Sequence, residues 1–249
     1  MMNNISVHLH LYYEDMGTYL LKKLSKIWNK KIYLSLVEYN CCNDILLNLS
    51  NSLFEKVEVA YVTNKGNDQF GFLHSFRLNN EDTSWILYWH DKHISKKQWL
   101  DDITDIFCDE NNIKLIERLT NNISSCGIIS SSKYKNKTLN FNQIATMSTK
   151  VPISYRHNIV RSYHCLVWLK ELQYIFNQQY NIYDEEESFP FFTAGNIFMI
   201  KRDILTKVHN IIYDEFFENF YRTDGDVGHA LERFYFYASK CLGYTNKFI

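Results

Sequence analysis

Residues 5–39 decide the fold, and they read ISVHLHLYYEDMGTYLLKKLSKIWNKKIYLSLVEY. Apolar residues occupy alternate positions from Ile5 to Tyr12, which is the pattern of a β-strand with two different faces. Leucines at helical spacing follow between Gly17 and Trp28, and Lys31 to Tyr39 again resembles a strand. Since neighbouring parallel strands need a crossover of this kind, the stretch predicts two parallel strands joined by a helix.

The alternation of strand and helix continues through the rest of the chain. Further strands are predicted at Val57 to Val62, Trp85 to Trp89, Gly127 to Ile129 and Phe191 to Ile200, and further helices at Asp44 to Phe54, Asn158 to Gln178, Ile204 to Ile212 and Val227 to Cys241; an acidic turn is predicted at Asp184 to Glu187. The order predicts an α/β fold in one domain spanning 1–249, with a mostly parallel sheet flanked by helices on both faces and a helical C-terminal part.

The composition excludes several classes of protein. Hydrophobic residues make up 46% of the 249 residues, which is enough for a sizeable core and argues against disorder. The net charge of -1 gives no global sign of nucleic-acid binding. The six cysteines form no C-x-x-C pair, no apolar run approaches the roughly 20 residues of a membrane span, and no leader pattern is visible. We therefore expect free thiols in a cytoplasmic protein that meets a membrane only peripherally, at its inner face.

Polar segments follow several of the predicted strands. They are His8 to Tyr13, Asn64 to Asp68, His90 to His93, and Thr223 to Asp226, which opens the helix carrying His229, Glu232 and Arg233. Five of the eight glycines lie in or beside such segments, which suggests close approach of the backbone. Because ligands of parallel sheets bind beyond the carboxyl ends of the strands, these segments predict a single site.

Each segment also has a structural explanation. His8 and His10 share one face of a strand, where a histidine pair is more often packed or hydrogen-bonded than functional. The segment from Asn64 to Asp68 is also typical of a turn, and the one from His90 of a solvated loop. Asp224 has the position of a helix cap. The shared location of the four segments at strand or helix ends favours function.

In order along the chain, these motifs resemble the rhamnan synthesis F family. The resemblance is carried by HLHLYY at 8–13, NKGND at 64–68, HDK at 90–92, AGNIF at 194–198 and DGDVGHALER at 224–233, and it spans nearly the whole sequence. Family members usually have arginine at the positions of Lys65 and Asn67, and threonine at those of Asp91 and Asp226. The resemblance implies a role in assembling rhamnose-containing and other bacterial surface polysaccharides, such as capsule or the O-antigen of lipopolysaccharide. The loss of two arginines suggests a different donor or acceptor.

The order of motifs is also similar to that of inverting glycosyltransferases of the GT-A fold. Such enzymes carry an Asp-x-Asp metal motif after the fourth strand, where this sequence has His90-Asp91-Lys92. One carboxylate between a histidine and a lysine is a poor site for Mg²⁺ or Mn²⁺, whereas Lys92 suits the leaving diphosphate of a nucleotide sugar. The resemblance thus implies a hexosyl- or rhamnosyltransferase that needs no divalent metal cofactor.

This resemblance assigns a role to each candidate residue. Donor binding falls to His8, His10, Tyr12, Asn64, Gly66, Asp68, His90 and Lys92, acceptor binding to Gly195 and Asn196, and catalysis to Asp224 as the base with His229, Glu232 and Arg233. The nucleotide-binding half covers about 1–130 and the acceptor and catalytic half about 131–249. The expected partners are a nucleotide sugar and a saccharide or lipid-linked glycan acceptor.

Two other functions fit the same residues. A metal-dependent hydrolase would bring His8, His10, His90, His93 and Asp224 together on zinc. A non-catalytic module would instead dock other enzymes of a polysaccharide pathway, and would not bind a nucleotide sugar.

Overall fold

A computed structural model describes residues 4–63, 67–138, 141–148, 156–182, 190–218 and 227–249. The strands are β1 (Ile5–Leu11), β2 (Lys31–Val37), β3 (Lys56–Val62), β4 (Trp85–His90), β5 (Cys126–Ser130), β6 (Lys135–Lys137), β7 (Phe191–Thr193), β8 (Phe198–Lys201) and β9 (Thr245–Phe248). The helices are α1 (Glu14–Ser25), α2 (Asn43–Leu53), α3 (Asn67–Leu78), α4 (Lys97–Thr104), α5 (Glu110–Asn122), α6 (Phe141–Ser148), α7 (Arg156–Tyr180), α8 (Arg202–His209), α9 (Glu215–Glu218) and α10 (Val227–Cys241).

A seven-stranded sheet forms the centre of the protein, in the order β3-β2-β1-β4-β8-β5-β9. The strands β1 to β4 pair in parallel, as the sequence predicts, and β5 is parallel to β9. Only β8 runs against its neighbours in this sheet, where it lies between β4 and β5. The turn that precedes β8 therefore lies at the same edge as the carboxyl end of β4.

Helices cover both faces of the sheet, which confirms the predicted layering. On one face, Leu9 and Leu87 pack with α1, α2, α4 and α5 through residues such as Leu20 and Leu46. On the other, Tyr88 packs with α3, α7, α8 and α10 through residues such as Phe72. His8 and His10 alternate with the leucines of β1, so both point toward the α3 face.

Several boundaries differ from the sequence prediction. The predicted strand from Phe191 to Ile200 is wrong, because the chain turns at Gly195 and Asn196, whose φ angles are 109° and 53°. That turn divides the segment into β7, which pairs with β6, and β8, which joins the main sheet. The predicted helix from Ile204 to Ile212 instead spans Arg202–His209. The sequence interpretation also overlooked α3, α4, α5, α6, α9, β6 and β9.

The long predicted helix is present as α7, and the last predicted helix has the bounds of α10. The predicted acidic turn at 184–187 lies outside the described residues. None of the helices in the described part of the chain combines the length and apolar character of a membrane span.

Candidate functional site

A group of polar side chains lies at the carboxyl edge of the sheet, on the α3 face. His10 and His90 are direct neighbours there, because β1 and β4 pair in parallel with His10 opposite His90. The first turn of α3 brings Asp68 to the same place, and the turn before β8 brings Asn196. Residues that are far apart in the sequence therefore lie close together in the fold, as they would in a single site.

Asp68 is the centre of the group. Its carboxylate is buried, and Oδ2 accepts a hydrogen bond of 2.9 Å from Asn196 Nδ2. Oδ2 also lies 3.6 Å from His90 Nε2, and Oδ1 lies 3.7 Å from Lys92 Nζ. The start of a helix is a favourable place for a carboxylate because backbone N–H groups point toward it.

The charges around Asp68 outweigh the cost of burying it. Burial alone would raise the pKa of Asp68, but the positive fields of His90, Lys92 and His10, with the hydrogen bond from Asn196, hold the pKa well below its usual range. Asp68 is therefore ionised at neutral pH. The side chain of Lys92 is 38% exposed, so its ammonium group faces both the buried carboxylate and the solvent.

The His90 ring lies between two backbone carbonyl oxygens. Nδ1 is 2.9 Å from the Asp91 oxygen, and Nε2 is 2.5 Å from the Gly195 oxygen. Since a carbonyl oxygen only accepts hydrogen bonds, this placement favours an N–H on each ring nitrogen. Burial lowers the pKa of His90, while Asp68 and the two carbonyls act against that change. His90 is 1% exposed, so it lies below the protein surface and connects the end of β4 to the Gly195 turn.

His10 is packed against α3. Its Nδ1 atom forms a hydrogen bond of 3.0 Å with Ser35 Oγ on the adjacent strand. Any side chain at Gly71 would overlap the imidazole ring, so glycine is required for α3 to approach β1 this closely. Burial lowers the pKa of His10 to about 4, which makes the ring neutral at pH 7.

Asp91 has a structural use at the end of β4. Its Oδ2 atom accepts hydrogen bonds of 2.9 Å and 2.6 Å from the backbone N–H groups of Tyr12 and Tyr13. Burial raises the pKa of Asp91 to about 7. The Asp91 side chain therefore fixes the junction of β1 and α1. In the sequence, Asp91 lies where glycosyltransferases of the GT-A fold carry their Asp-x-Asp metal motif.

The turn at Gly195 is held by Glu232 of α10. The Gly195 N–H donates to Glu232 Oε1, and the second carboxylate oxygen lies 3.2 Å from Arg233 Nη1. A side chain at Gly195 would overlap Trp99 and would also have to adopt a positive φ. Glu232 is buried, so the structure gives it a role in positioning the turn, whereas the sequence predicted catalysis.

Other predicted site residues lie apart from this group. His8 is fully buried and bonded to protein groups on both ring nitrogens, 3.1 Å from Ser75 Oγ and 3.0 Å from Asn79 Nδ2. It belongs to the core beneath the site and offers no surface to a donor. Tyr12 lies at the rim with 39% exposure, and Arg233 stacks on Phe192.

Three predicted residues, Asn64, Gly66 and Asp224, lie outside the described part of the chain. His229 lies in the first turn of α10, and its carbonyl oxygen accepts a hydrogen bond of 2.6 Å from Arg233 Nη1. Asn196, predicted to bind the acceptor, is bonded to Asp68, although its own Oδ1 atom is buried without a partner in the described structure.

The zinc-site alternative loses support from this geometry. His8 is bonded within the core, and His93 accepts from the N–H of Ser95 at the start of a short 3₁₀ turn, Ile94–Lys96. Within the described ranges, no group of three or more His, Cys, Asp or Glu residues has a metal-binding arrangement.

Sequence reasoning missed Ser35 and Trp99, whereas Gly71 is one of the five glycines for which the sequence suggested close approach of the backbone. Ser35 carried a signal, because it is a polar residue in the otherwise apolar run Ile32 to Val37. The importance of Trp99 depends on its contact with Gly195 and has no local signal.

The fold defines a class of α/β protein with a mostly parallel sheet, and a cluster of polar side chains lies at the carboxyl edge of that sheet, where ligands of such folds commonly bind. The family model for rhamnan synthesis protein F matches residues 1–244. The chain belongs to the rhamnan synthesis protein F family, which connects it with polysaccharide synthesis. No curated protein matches the chain.

Proposed function

We propose that the protein is a glycosyltransferase that moves a sugar from a nucleotide-sugar donor to a growing bacterial surface polysaccharide. The observation that supports this most directly is Lys92, a half-exposed cation at the carboxyl edge of the sheet. It is oriented by a buried, ionised Asp68. Such a fixed positive charge suits the diphosphate of a donor bound across the strand ends.

The site residues divide into those that meet the donor and those that support them. Lys92 contacts the diphosphate, and the exposed ring of Tyr12 at the rim offers a flat surface for a nucleobase or sugar. His90, Asp68 and Asn196 are buried and fix the position of Lys92 and of the Gly195 turn. The order of motifs along the chain, which is similar to that of GT-A glycosyltransferases, agrees with this division.

The reaction proceeds in one displacement. The oxygen of an acceptor hydroxyl attacks the anomeric carbon, and the bond from that carbon to the diphosphate oxygen breaks. The leaving diphosphate takes the electron pair, and Lys92 stabilises the charge that develops on it. The acceptor proton passes to a carboxylate, for which Asp224 is the candidate because it begins the DGDVGHALER motif that the sequence has in common with the family. This course inverts the configuration and uses no divalent metal.

A binding experiment on Lys92 tests the proposal. Nucleoside diphosphates, their sugars and the corresponding monophosphates are titrated into the protein by isothermal calorimetry, and the titrations are repeated with Lys92→Ala. We expect the variant to bind diphosphates about tenfold or more weakly, since hydrogen bonds to charged groups contribute about 1.5–3 kcal/mol. Binding of the monophosphate should change much less.

Lys96→Ala is the matched control. Lys96 is an exposed lysine in the short turn that follows β4, so its removal changes the net charge equally without touching Asp68. Equal losses of affinity in the two variants would show that general charge, and not the Lys92 site, attracts the nucleotide. No binding of any nucleotide to the wild type would refute the proposed function.

A further inference from the structure

A cavity of about 210 Å³ lies beside the Gly195 turn, between the two-stranded sheet of β6 and β7, α7 and α10. Its lining includes Lys137 and Thr138 at the end of β6, Phe192 and Ala194 from the segment before the turn, and Arg233 from α10. Among the described residues that line it, two carry cationic side chains and none carries a carboxylate. Its charge therefore suits an anion.

Arg233 is held in place before any ligand arrives. Its Nη1 atom donates to the His229 carbonyl at 2.6 Å and lies 3.2 Å from Glu232 Oε2. The guanidinium carbon lies 4.3 Å from the centre of the Phe192 ring, as in a stacked pair. The other guanidinium N–H groups make no hydrogen bond to the described residues. Because the group is planar and already oriented, it can donate two parallel hydrogen bonds to a phosphate or carboxylate.

The end of β6 supplies the other polar groups. Lys137 is exposed and forms no ion pair within the described ranges. The hydroxyl of Thr138 is buried without a hydrogen-bond partner there. An unsatisfied buried hydroxyl is costly, and a ligand oxygen that accepts from it would remove that cost.

We propose that this cavity binds an anionic group on the acceptor, namely a phosphate or carboxylate attached to a sugar. The subsite belongs to the proposed transferase reaction and rests on it. Ala194 lines the cavity, and the carbonyl of the next residue, Gly195, contacts His90 of the donor site. An acceptor anchored here would therefore lie beside the donor, separated from it by the turn.

Titration with sugar anions tests the subsite. Glucose 1-phosphate, glucuronate and neutral glucose are added to protein carrying Lys92→Ala, so that phosphate binding at the donor site does not contribute. We expect at least one of the two anions to bind and glucose not to bind. Stronger binding of glucose 1-phosphate indicates a lipid-linked phosphate acceptor, and stronger binding of glucuronate indicates an acidic glycan. Failure of both anions, or equal binding of glucose, would overturn the proposal.

Variants of the two cations locate the binding. In the same background, Lys137→Ala and Arg233→Lys should each weaken anion binding about tenfold, and circular dichroism should show an unchanged fold. Lys135→Ala is the control, because Lys135 lies on the same strand, β6, but over the rings of Phe191 and Phe248. A loss in Lys135→Ala as large as in Lys137→Ala would refute the assignment.

The two proposals fail separately. If nucleoside diphosphates bind through Lys92 but neither sugar anion binds, the subsite is refuted and the proposed function stands. If sugar anions bind through Lys137 but no nucleotide binds, the cavity is a true anion site and the transferase assignment is refuted.

Discussion

Asp91→Asn measures what a buried carboxylate at the end of β4 does to the stability of the protein. Burial raises the pKa of Asp91 from 3.8 to about 7, against the opposing effect of the N–H groups of Tyr12 and Tyr13. Between these two values the folded state binds the proton more strongly than the unfolded state. The free energy of unfolding therefore falls as the pH rises through this window. At about 1.4 kcal/mol per pH unit, a window of about three units gives an upper bound of about 4 kcal/mol.

The asparagine variant isolates this effect. Asparagine keeps the shape and an oxygen that accepts from both backbone N–H groups, but it does not titrate. His10 changes stability in the opposite direction over part of the same range, because its pKa is lowered to about 4 and stability from that group rises with pH. The informative quantity is therefore the difference in unfolding free energy between variant and wild type.

Urea unfolding followed by tryptophan fluorescence, from pH 4.5 to 8, gives this difference at each pH. We expect the variant to gain on the wild type by up to about 1.4 kcal/mol per pH unit, and the gain to level off above about pH 7. A difference that is the same at every pH would refute the reasoning and would mean that Asp91 is ionised throughout.

Three further predictions concern the base, the turn and the metal. Asp224→Asn should reduce turnover about 10²–10⁴-fold in a glycosyl-transfer assay while nucleotide binding by calorimetry stays nearly unchanged, since asparagine keeps the shape but accepts no proton. Gly195→Ala should lower the free energy of unfolding in urea by about 2–5 kcal/mol, because a methyl group there overlaps Trp99 and must adopt a φ of 109°. Turnover should survive EDTA, because Lys92 provides the charge that a divalent ion would otherwise provide.

Each of these has its own control. Near-normal turnover in Asp224→Asn would remove it as the base, and Asp226→Asn tests the next carboxylate in the motif. Gly243→Ala has a similarly positive φ of 80° with open space around it, so it should cost only about 1 kcal/mol; an equal loss in both glycine variants would disprove the overlap with Trp99. Loss of turnover in EDTA that manganese restores would show a metal-dependent reaction.

The first four strands could be predicted from the sequence, because period-two runs such as Ile5 to Leu11 are bounded by helical stretches. The break at Gly195 was missed although Gly195-Asn196 is a turn dipeptide, because the apolar and aromatic residues on both sides resemble one continuous strand. Asn196, which has a positive φ, is hydrogen-bonded through its side chain to Asp68, 128 positions away in the chain. The helices α4 and α5 did carry a signal, since Leu100 and Ile103 in α4, and Ile116 and Leu119 in α5, have helical spacing and pack into the core.

The candidate site was predictable in part for the same reason. Asp68, His90 and Lys92 follow strands or begin a helix, so the rule for parallel sheets places them together. The roles of Glu232 and Asn196 depend on the position of β8 in the sheet. They could not be predicted because the order of the strands in the sheet cannot be inferred from the sequence pattern. His8 and His10 show the limit most clearly, because they share one strand face but only His10 reaches the edge.

The position of β8 also determines whether the protein can be divided into two fragments that fold separately. A fragment that stops after residue 130 would contain β5 but not β8, the strand through which β5 joins the rest of the sheet. It would expose the backbone hydrogen-bonding edge of β4 and leave β5 without a neighbour on either side, and such edges promote aggregation. The second fragment would hold β8 without either of its neighbours, β4 and β5, and β9 without its partner β5. Two separately expressed halves should therefore be insoluble alone and recover a soluble complex only when they are produced together.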